Sequence, residues 1–222
     1  MNTVIILVMA IAEPSVLLLG DSIRLGYQPY VANSLTGCTV YAPQQNCQST
    51  EYSVEHIDAW LGGRQYAVIH CNWGLHDVWA FNCSQWNKVS IDDYRQNLRV
   101  LFTRLQRAAR VVIFATTTPV PEDTPFRCNE DINRYNAVAR EVCAEYGVQV
   151  NDLNEYMCIY GDLEMYPPFD CHPLPEGREL LGNRVAEVIA EQIEAHPVPL
   201  QWPLFFVAML AAFAVVCRRR SH

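Results

Sequence analysis

Three side chains in this sequence have the types needed to make an activated nucleophile: Ser22, His172 and Asp170. A serine hydroxyl attacks poorly until a base accepts its proton, and an imidazole base works best when a carboxylate fixes its tautomer. Ser22 stands at the corner Gly20-Asp21-Ser22, straight after the apolar run Val16-Leu17-Leu18-Leu19. A hydroxyl there lies at the carboxyl end of a buried strand, with its backbone N–H at a helix start, where N–H dipoles favour negative charge. Asp170 and His172 lie far along the chain in Pro168-Phe169-Asp170-Cys171-His172-Pro173, just ahead of the last helical segment. Each feature also has a plainer use: Asp and Ser are common helix caps, and a His-Pro pair suits a surface turn. The chemistry therefore requires a fold that brings residues from both ends of the domain to one edge.

Hydrophobic periodicity supplies such a fold. A helix over Arg24 to Leu35 follows the corner, then a strand over Cys38 to Tyr41, which Pro43 ends. The polar loop Gln44 to Thr50 leads into a helix over Glu51 to Leu61, with Val54, Ile57 and Leu61 at helical spacing and Gly62-Gly63 as its stop. The strand Tyr66 to His70 runs into Cys71-Asn72-Trp73-Gly74-Leu75-His76-Asp77, and Ile91 to Ala109 is a long amphipathic helix opened by Ser90, Asp92 and Asp93. A strand over Arg110 to Ala115, a helix over Asn129 to Tyr146 stopped by Gly147, a strand over Val148 to Leu153 and a helix over Glu176 to Ala195 complete the pattern. Strands alternating with helices predict the α/β class: a flavodoxin-like three-layer sandwich of about five parallel strands, helices on both faces, and a site at the strand carboxyl ends. Ser22, the Asn46 loop, the Gly74 to Asp77 turn and the Asp170 to His172 segment then share one edge.

Half of the 222 residues are apolar, which excludes a disordered chain and fits one domain with short extras. The net charge of −8 understates the acidity of the body: without Arg218, Arg219 and Arg220, 13 basic face 24 acidic side chains, a charge of −11. Such a surface repels nucleic acid, and no Gly-rich phosphate loop or internal repeat is present.

The two ends read as addresses. Met1 to Ala12 closes on Ala10-Ile11-Ala12 and is expected to be a signal peptide, although it lacks a Lys or Arg. Residues 13–196 form the domain and 197–199 a linker. Leu200 to Cys217, an apolar run interrupted by Gln201, is just long enough for a transmembrane helix, and the three arginines place 218–222 in the cytoplasm. The expected protein is exported and anchored in the membrane by its C-terminal helix. His196-Pro197-Val198-Pro199, the apolar span and the arginines together resemble a bacterial sorting tail, without its usual Pro-Glu-Pro. Cys38, Cys47, Cys71, Cys83, Cys128, Cys143, Cys158 and Cys171 are an even, scattered set without metal-ligand spacing, so disulfides are expected, with Cys158 paired to Cys171 across the His172 loop.

From roughly Val16 to Ile193 the chain resembles the SGNH, or GDSL-type, hydrolase family. Gly20-Asp21-Ser22 matches the block that holds the nucleophile, and Gly74-Leu75-His76-Asp77 the Gly-x-Asn-Asp block, with His76 where the family has an oxyanion-stabilising asparagine. Asp170 and His172 match the late Asp-x-x-His block with one residue fewer between them, so Asp77 and Glu176 are alternative partners for the imidazole. Asn46-Cys47-Gln48-Ser49-Thr50 occupies the place of the second block, where a glycine N–H donates to the oxyanion. The resemblance implies a serine esterase: Ser22 the nucleophile, His172 the base, Asp170 its orienting acid, and an oxyanion hole made by Ser22, Gln48 and His76, with Asn72 the alternative to His76. It implies no cofactor and no metal, and a small ester or acylated carbohydrate, its acyl group short and acetyl a candidate, as substrate. Trp73, Trp79, Phe81 and Trp86 are candidates for stacking a sugar or for packing. The competing class is a surface binding protein that keeps the fold without the chemistry. A phosphatase is disfavoured because Arg24 alone stands near the site to meet a phosphate.

Overall fold

The computed structural model describes residues 13–80, 83 and 87–197. The expected signal peptide, transmembrane helix and basic tail lie outside these residues, as do Phe81 and Trp86; among the described residues no helix is long and apolar enough to cross a membrane.

Five parallel strands form one sheet: β1 (Ser15–Gly20), β2 (Thr39–Tyr41), β3 (Tyr66–Asn72), β4 (Ala109–Ala115) and β5 (Gln149–Asn151), in the order β2-β1-β3-β4-β5. In β1 and β3 the side chains that point to either face are covered, which is why both read as unbroken apolar runs rather than alternating ones. The strand order reverses direction between β1 and β3, so the crevice at their carboxyl ends is the switch point where such sheets bind ligands. Helix α1 (Ser22–Ser34) packs on α6 (Pro175–Ala195) over β1 and β3, while α2 (Thr50–Leu61), α3 (Ile91–Ala108) and α4 (Asn129–Tyr146) pack in series on one another. Side chains of Ser49 and Ser90 cap α2 and α3, and Gly62 and Gly147 end α2 and α4 in the left-handed conformation.

Among the described residues the periodicity did not predict the α-helix α5 (Leu153–Tyr160) or the short 3-10 turn Leu163–Met165 after it. Val148 to Leu153 was expected as a continuous strand, but β5 stops at Asn151 because the Asp152 carboxylate turns back to accept the Glu155 N–H at 3.1 Å and starts a helix. The signal was present as Asp152-x-x-Glu155, a capping-box spacing.

A chain of buried polar groups crosses the core behind the switch point. The Asn151 amide donates to His70 Nε2 at 3.2 Å, which leaves Nδ1–H to face the Tyr27 hydroxyl at 3.5 Å. Tyr27 donates to Asn72 Oδ1 at 3.2 Å, and the Asn72 amide donates to Asp21 Oδ1 at 2.9 Å, which also caps α1 through the Ile23 N–H. Desolvation lowers the His70 pKa to about 3, so the ring is neutral and the donor sequence is unbroken.

A second buried group titrates in the opposite sense. Burial raises the Asp77 pKa to about 7, against the hydrogen bonds from Thr50 that lower it. For His70 the unfolded chain holds the extra proton between about pH 3 and 6.5, so stability rises with pH there; for Asp77 the folded chain holds it between about pH 4 and 7, so stability falls. Each slope is about 1.4 kcal/mol per pH unit, and the two offset one another. From pH 4 to 6.5 the slope of urea-unfolding stability against pH is therefore expected to be lower than native in His70→Gln and higher than native in Asp77→Asn.

Candidate active site

The Gly20 backbone is at φ +152°, and a Cβ on it would lie 2.1 Å from Asn72 Oδ1. Glycine is thus required for β1 to pass Asn72 and turn at Asp21, which leaves Ser22 as the first residue of α1 with an amide that no intrahelical carbonyl can accept. Gly74 is in the same position after β3: φ +152°, with a Cβ that would meet Thr117 Oγ1 at 1.9 Å. Two tight exits from adjacent strands therefore open on one hollow.

His172 reaches that hollow from the other end of the chain. Its Nε2 lies 2.8 Å from Ser22 Oγ, and its Nδ1 lies 2.5 Å from Asp170 Oδ1. The short Asp170-Cys171-His172 spacing works because the chain turns tightly: Phe169 adopts φ +60°, the Asp170 N–H donates to Pro167 O, and Asp170 Oδ1 accepts the His172 N–H at 3.0 Å as well as the ring. Asp77, one alternative partner, is committed instead to the Thr50 N–H at 2.9 Å and hydroxyl at 2.5 Å, which ties the His76 turn to the start of α2. Beside Nδ1, the Cys171 sulfur and the Asp170 carboxylate favour the protonated ring and raise the His172 pKa to about 9, against burial. The Asp170 carboxyl is held below its usual range by its bonds to His172, which outweigh desolvation.

The second-block loop is clamped from beneath. Arg24 is fully buried, and its guanidinium donates to Pro43 O at 2.9 Å, Gln45 O at 2.7 Å and Gly20 O at 3.3 Å. It is committed to these carbonyls and is not available to a phosphate. Cys47 N–H donates to Gly20 O at 3.0 Å, and the Ser53 hydroxyl to Cys47 O at 2.8 Å. Gln48 takes φ +51°, the conformation that a glycine in this place would adopt freely. Its N–H, however, donates to Asn46 Oδ1 at 2.7 Å. That bond fixes which end of the Asn46 amide is oxygen, so Nδ2 is the atom 3.3 Å from His76 Nε2. Burial lowers the His76 pKa, with Arg127, Lys88 and His172 adding to the effect and Asp21 opposing it. The neutral ring accepts from Asn46.

Ser22, Asn46, His76, Asp170 and His172 thus line one hollow of about 350 Å3, walled by Thr124, Pro125, Arg127 and Phe169. Of the residues read from sequence, Gln48 belongs to the loop but turns its N–H to Asn46, and Asn72 lies behind the corner with its amide on Asp21. Asn46 was named only as part of the loop; its two-residue offset from Gln48, an Asx-turn spacing, was the available signal. Trp73 is fully buried in the core and cannot stack a sugar, whereas Trp79 stacks on the exposed Phe126 ring with centroids 5.2 Å apart.

The expectation of disulfides holds for one pair, and the expected Cys158–Cys171 pairing needs correction. Cys83 and Cys128 form a disulfide, while Cys38, Cys47, Cys71, Cys143, Cys158 and Cys171 are free thiols. Cys158 is exposed on α5, and the Cys171 sulfur is turned to His172 Nδ1 at 3.8 Å, so the two do not pair. Asp170, Cys171 and His172 offer three donor atoms within 4.8 Å of one another, but a metal there would take Nδ1 from its carboxylate.

A family model described as the GDSL-like lipase/acylhydrolase family matches residues 18–180. Solved structures share the fold. An acetylxylan esterase from Geobacillus stearothermophilus superposes with a TM-score of 0.65 at 18% identity, covering 81% of this chain and 95% of that one. A chain from Parabacteroides merdae named as a GDSL-like lipase superposes at 0.68 and 14% identity, covering 81% and 97%. An α/β hydrolase enzyme from the metagenome of Lake Arreo gives 0.64 and 14%, covering 82% and 97%. No curated protein matches the chain in sequence at a significant level.

Thiol labelling of the native, non-reduced protein is expected to modify Cys158 readily and buried Cys47, Cys71 and Cys143 only after unfolding. Mass mapping should recover one peptide pair joining Cys83 to Cys128.

Proposed function

The chain belongs to the GDSL-like lipase/acylhydrolase family and is a carboxylic ester hydrolase, and from that premise we propose that Ser22, His172 and Asp170 carry the reaction through an acyl-enzyme. The observation that carries this assignment is the hydrogen-bonded series Asp170 Oδ1, His172 Nδ1, His172 Nε2, Ser22 Oγ, assembled from the two ends of the domain. His172 takes the Ser22 proton as Oγ attacks the ester carbonyl, returns it to the departing alcohol, and then activates water to release the acid. No step calls for a metal or an organic cofactor.

The oxyanion falls to the Ser22 N–H and the Asn46 amide. Gln48 and His76, read from sequence as direct donors, act through Asn46: the Gln48 N–H holds its oxygen and the His76 ring accepts one amide hydrogen, which leaves the second for the developing charge. The substrate we propose is a short acyl ester, acetyl above all, on a carbohydrate, supported by the acetylxylan esterase whose fold this chain shares. Export and a C-terminal membrane anchor are part of the same reading, supported by the apolar runs Met1 to Ala12 and Leu200 to Cys217 and by the Cys83–Cys128 disulfide.

A serine-directed fluorophosphonate should label the native chain at Ser22 and fail to label His172→Ala; no labelling of the folded native chain would favour the non-enzymatic surface protein. Because the base must be neutral, kcat/KM for an acetyl ester should rise with pH toward about 9, and Asp170→Asn should move that limb to lower pH while reducing kcat. Asn46→Ala should lower kcat by about 10² to 10³ with a smaller change in KM, the usual cost of one oxyanion donor. A rise in kcat would show instead that Asn46 blocks the Gln48 N–H.

A further inference from the structure

Arg127 is the guanidinium on the wall of the hollow that holds Ser22 and His172, and below about pH 9 the His172 ring adds a second positive charge there. It is half-buried, and its Nε donates to Leu75 O at 2.9 Å, in the turn that carries His76. Arg95, Arg99, Arg104, Arg134, Arg140 and Arg184 each meet a carboxylate, and Arg24, Arg64, Arg107, Arg110 and Arg178, which do not, lie outside the lining of this hollow. Among the described residues no carboxylate lies within ion-pair distance of Arg127. The nearest acid of the hollow, Asp170, is already engaged twice by His172.

The backbone that carries Arg127 is also held in place. The next residue, Cys128, is in the disulfide to Cys83, Phe126 O accepts the Ala80 N–H at 3.0 Å, and the turn passes through Phe126 at φ +63°. The Arg127 charge is felt across the hollow, where it contributes to keeping His76 neutral. In a chain of net charge −8, a guanidinium fixed at the site with its remaining N–H donors uncommitted to any acid is complementary to a ligand anion.

We infer that Arg127 is an anion subsite, and that the preferred substrates carry a carboxylate or a sulfate close to the ester that Ser22 attacks. This rests on the esterase reading above. An acetyl group has no room for a charge, so the anion sits on the alcohol portion, which makes acyl esters of acidic carbohydrates, uronate or sulfated, the substrate class. Planar carboxylate and tetrahedral sulfate both suit the guanidinium, and the two are separated by experiment.

The test compares 4-acetoxybenzoate, 4-acetoxybenzenesulfonate and the neutral 4-acetoxybenzamide as substrates of the full chain and of Arg127→Gln. The ratio of kcat/KM for an anionic ester to that for the amide should fall about 10- to 100-fold in the variant, as expected for one charge-assisted contact, and be partly restored in Arg127→Lys. Whichever anion shows the larger fall identifies the group. In the native chain the same ratio should shrink in 0.5 M salt, a measurement that stands if the variant fails to fold. An unchanged ratio, or one insensitive to salt, overturns the subsite and leaves the esterase intact. Calorimetric binding of 4-hydroxybenzoate, 4-hydroxybenzenesulfonate and 4-hydroxybenzamide reads the subsite without turnover: tighter binding of either anion to the native chain at pH 10, where the His172 ring is neutral, supports it even if no ester is cleaved, and equal binding of all three removes it.

Discussion

The Ser22 corner is held by a line of buried polar side chains, each hydrogen-bonded to the next. Asn151, His70, Tyr27, Asn72 and Asp21 are all buried, and each supplies a partner for the next from the far edge of the sheet to the cap of α1. An unsatisfied member would cost about 1–3 kcal/mol, so the series behaves as one unit rather than five contacts. Its last link sets the Asp21 carboxylate, and Asp21 sets the first turn of the helix that begins with Ser22. Ser22 is placed by groups that do not line the hollow.

Two further buried ionisable groups extend the same logic forward. Arg24, two residues on from Ser22, draws the Pro43 to Cys47 backbone down onto the corner, and Asp77 draws the start of α2 against the His76 turn. Both are costly groups to bury, and both are committed to backbone or hydroxyl partners that belong to site loops. Loops that would otherwise vary freely are thereby referenced to the rigid ends of β1 and β3, where the direction of strand order reverses.

Most of the fold was legible because its signals are local. Apolar runs, caps and glycine stops mark five strands and the principal helices, and α4 falls on the expected Asn129 to Tyr146. α5 was missed because Val150 and Leu153 extend an apolar pattern across a cap that only Asp152 and Glu155 reveal. Ser22, His172 and Asp170 and the short Asp-His spacing were readable; the turn that lets Asp170 reach the ring across that spacing was not, since it depends on a left-handed Phe169, a conformation that nothing about phenylalanine predicts. The orientation of Asn46 was hidden for a similar reason: it is decided by one backbone N–H two residues on. The disulfide pairing escaped because sulfur partners are chosen by tertiary proximity, and Cys171 lies against His172 instead of Cys158.

Asp170 and His172 share a single tight turn, whereas Ser22 belongs to α1. The alignment of carboxylate with imidazole is therefore internal to that turn, while the distance from imidazole to hydroxyl is set between the turn and the helix, with the exposed Phe169 ring on the turn side of that gap.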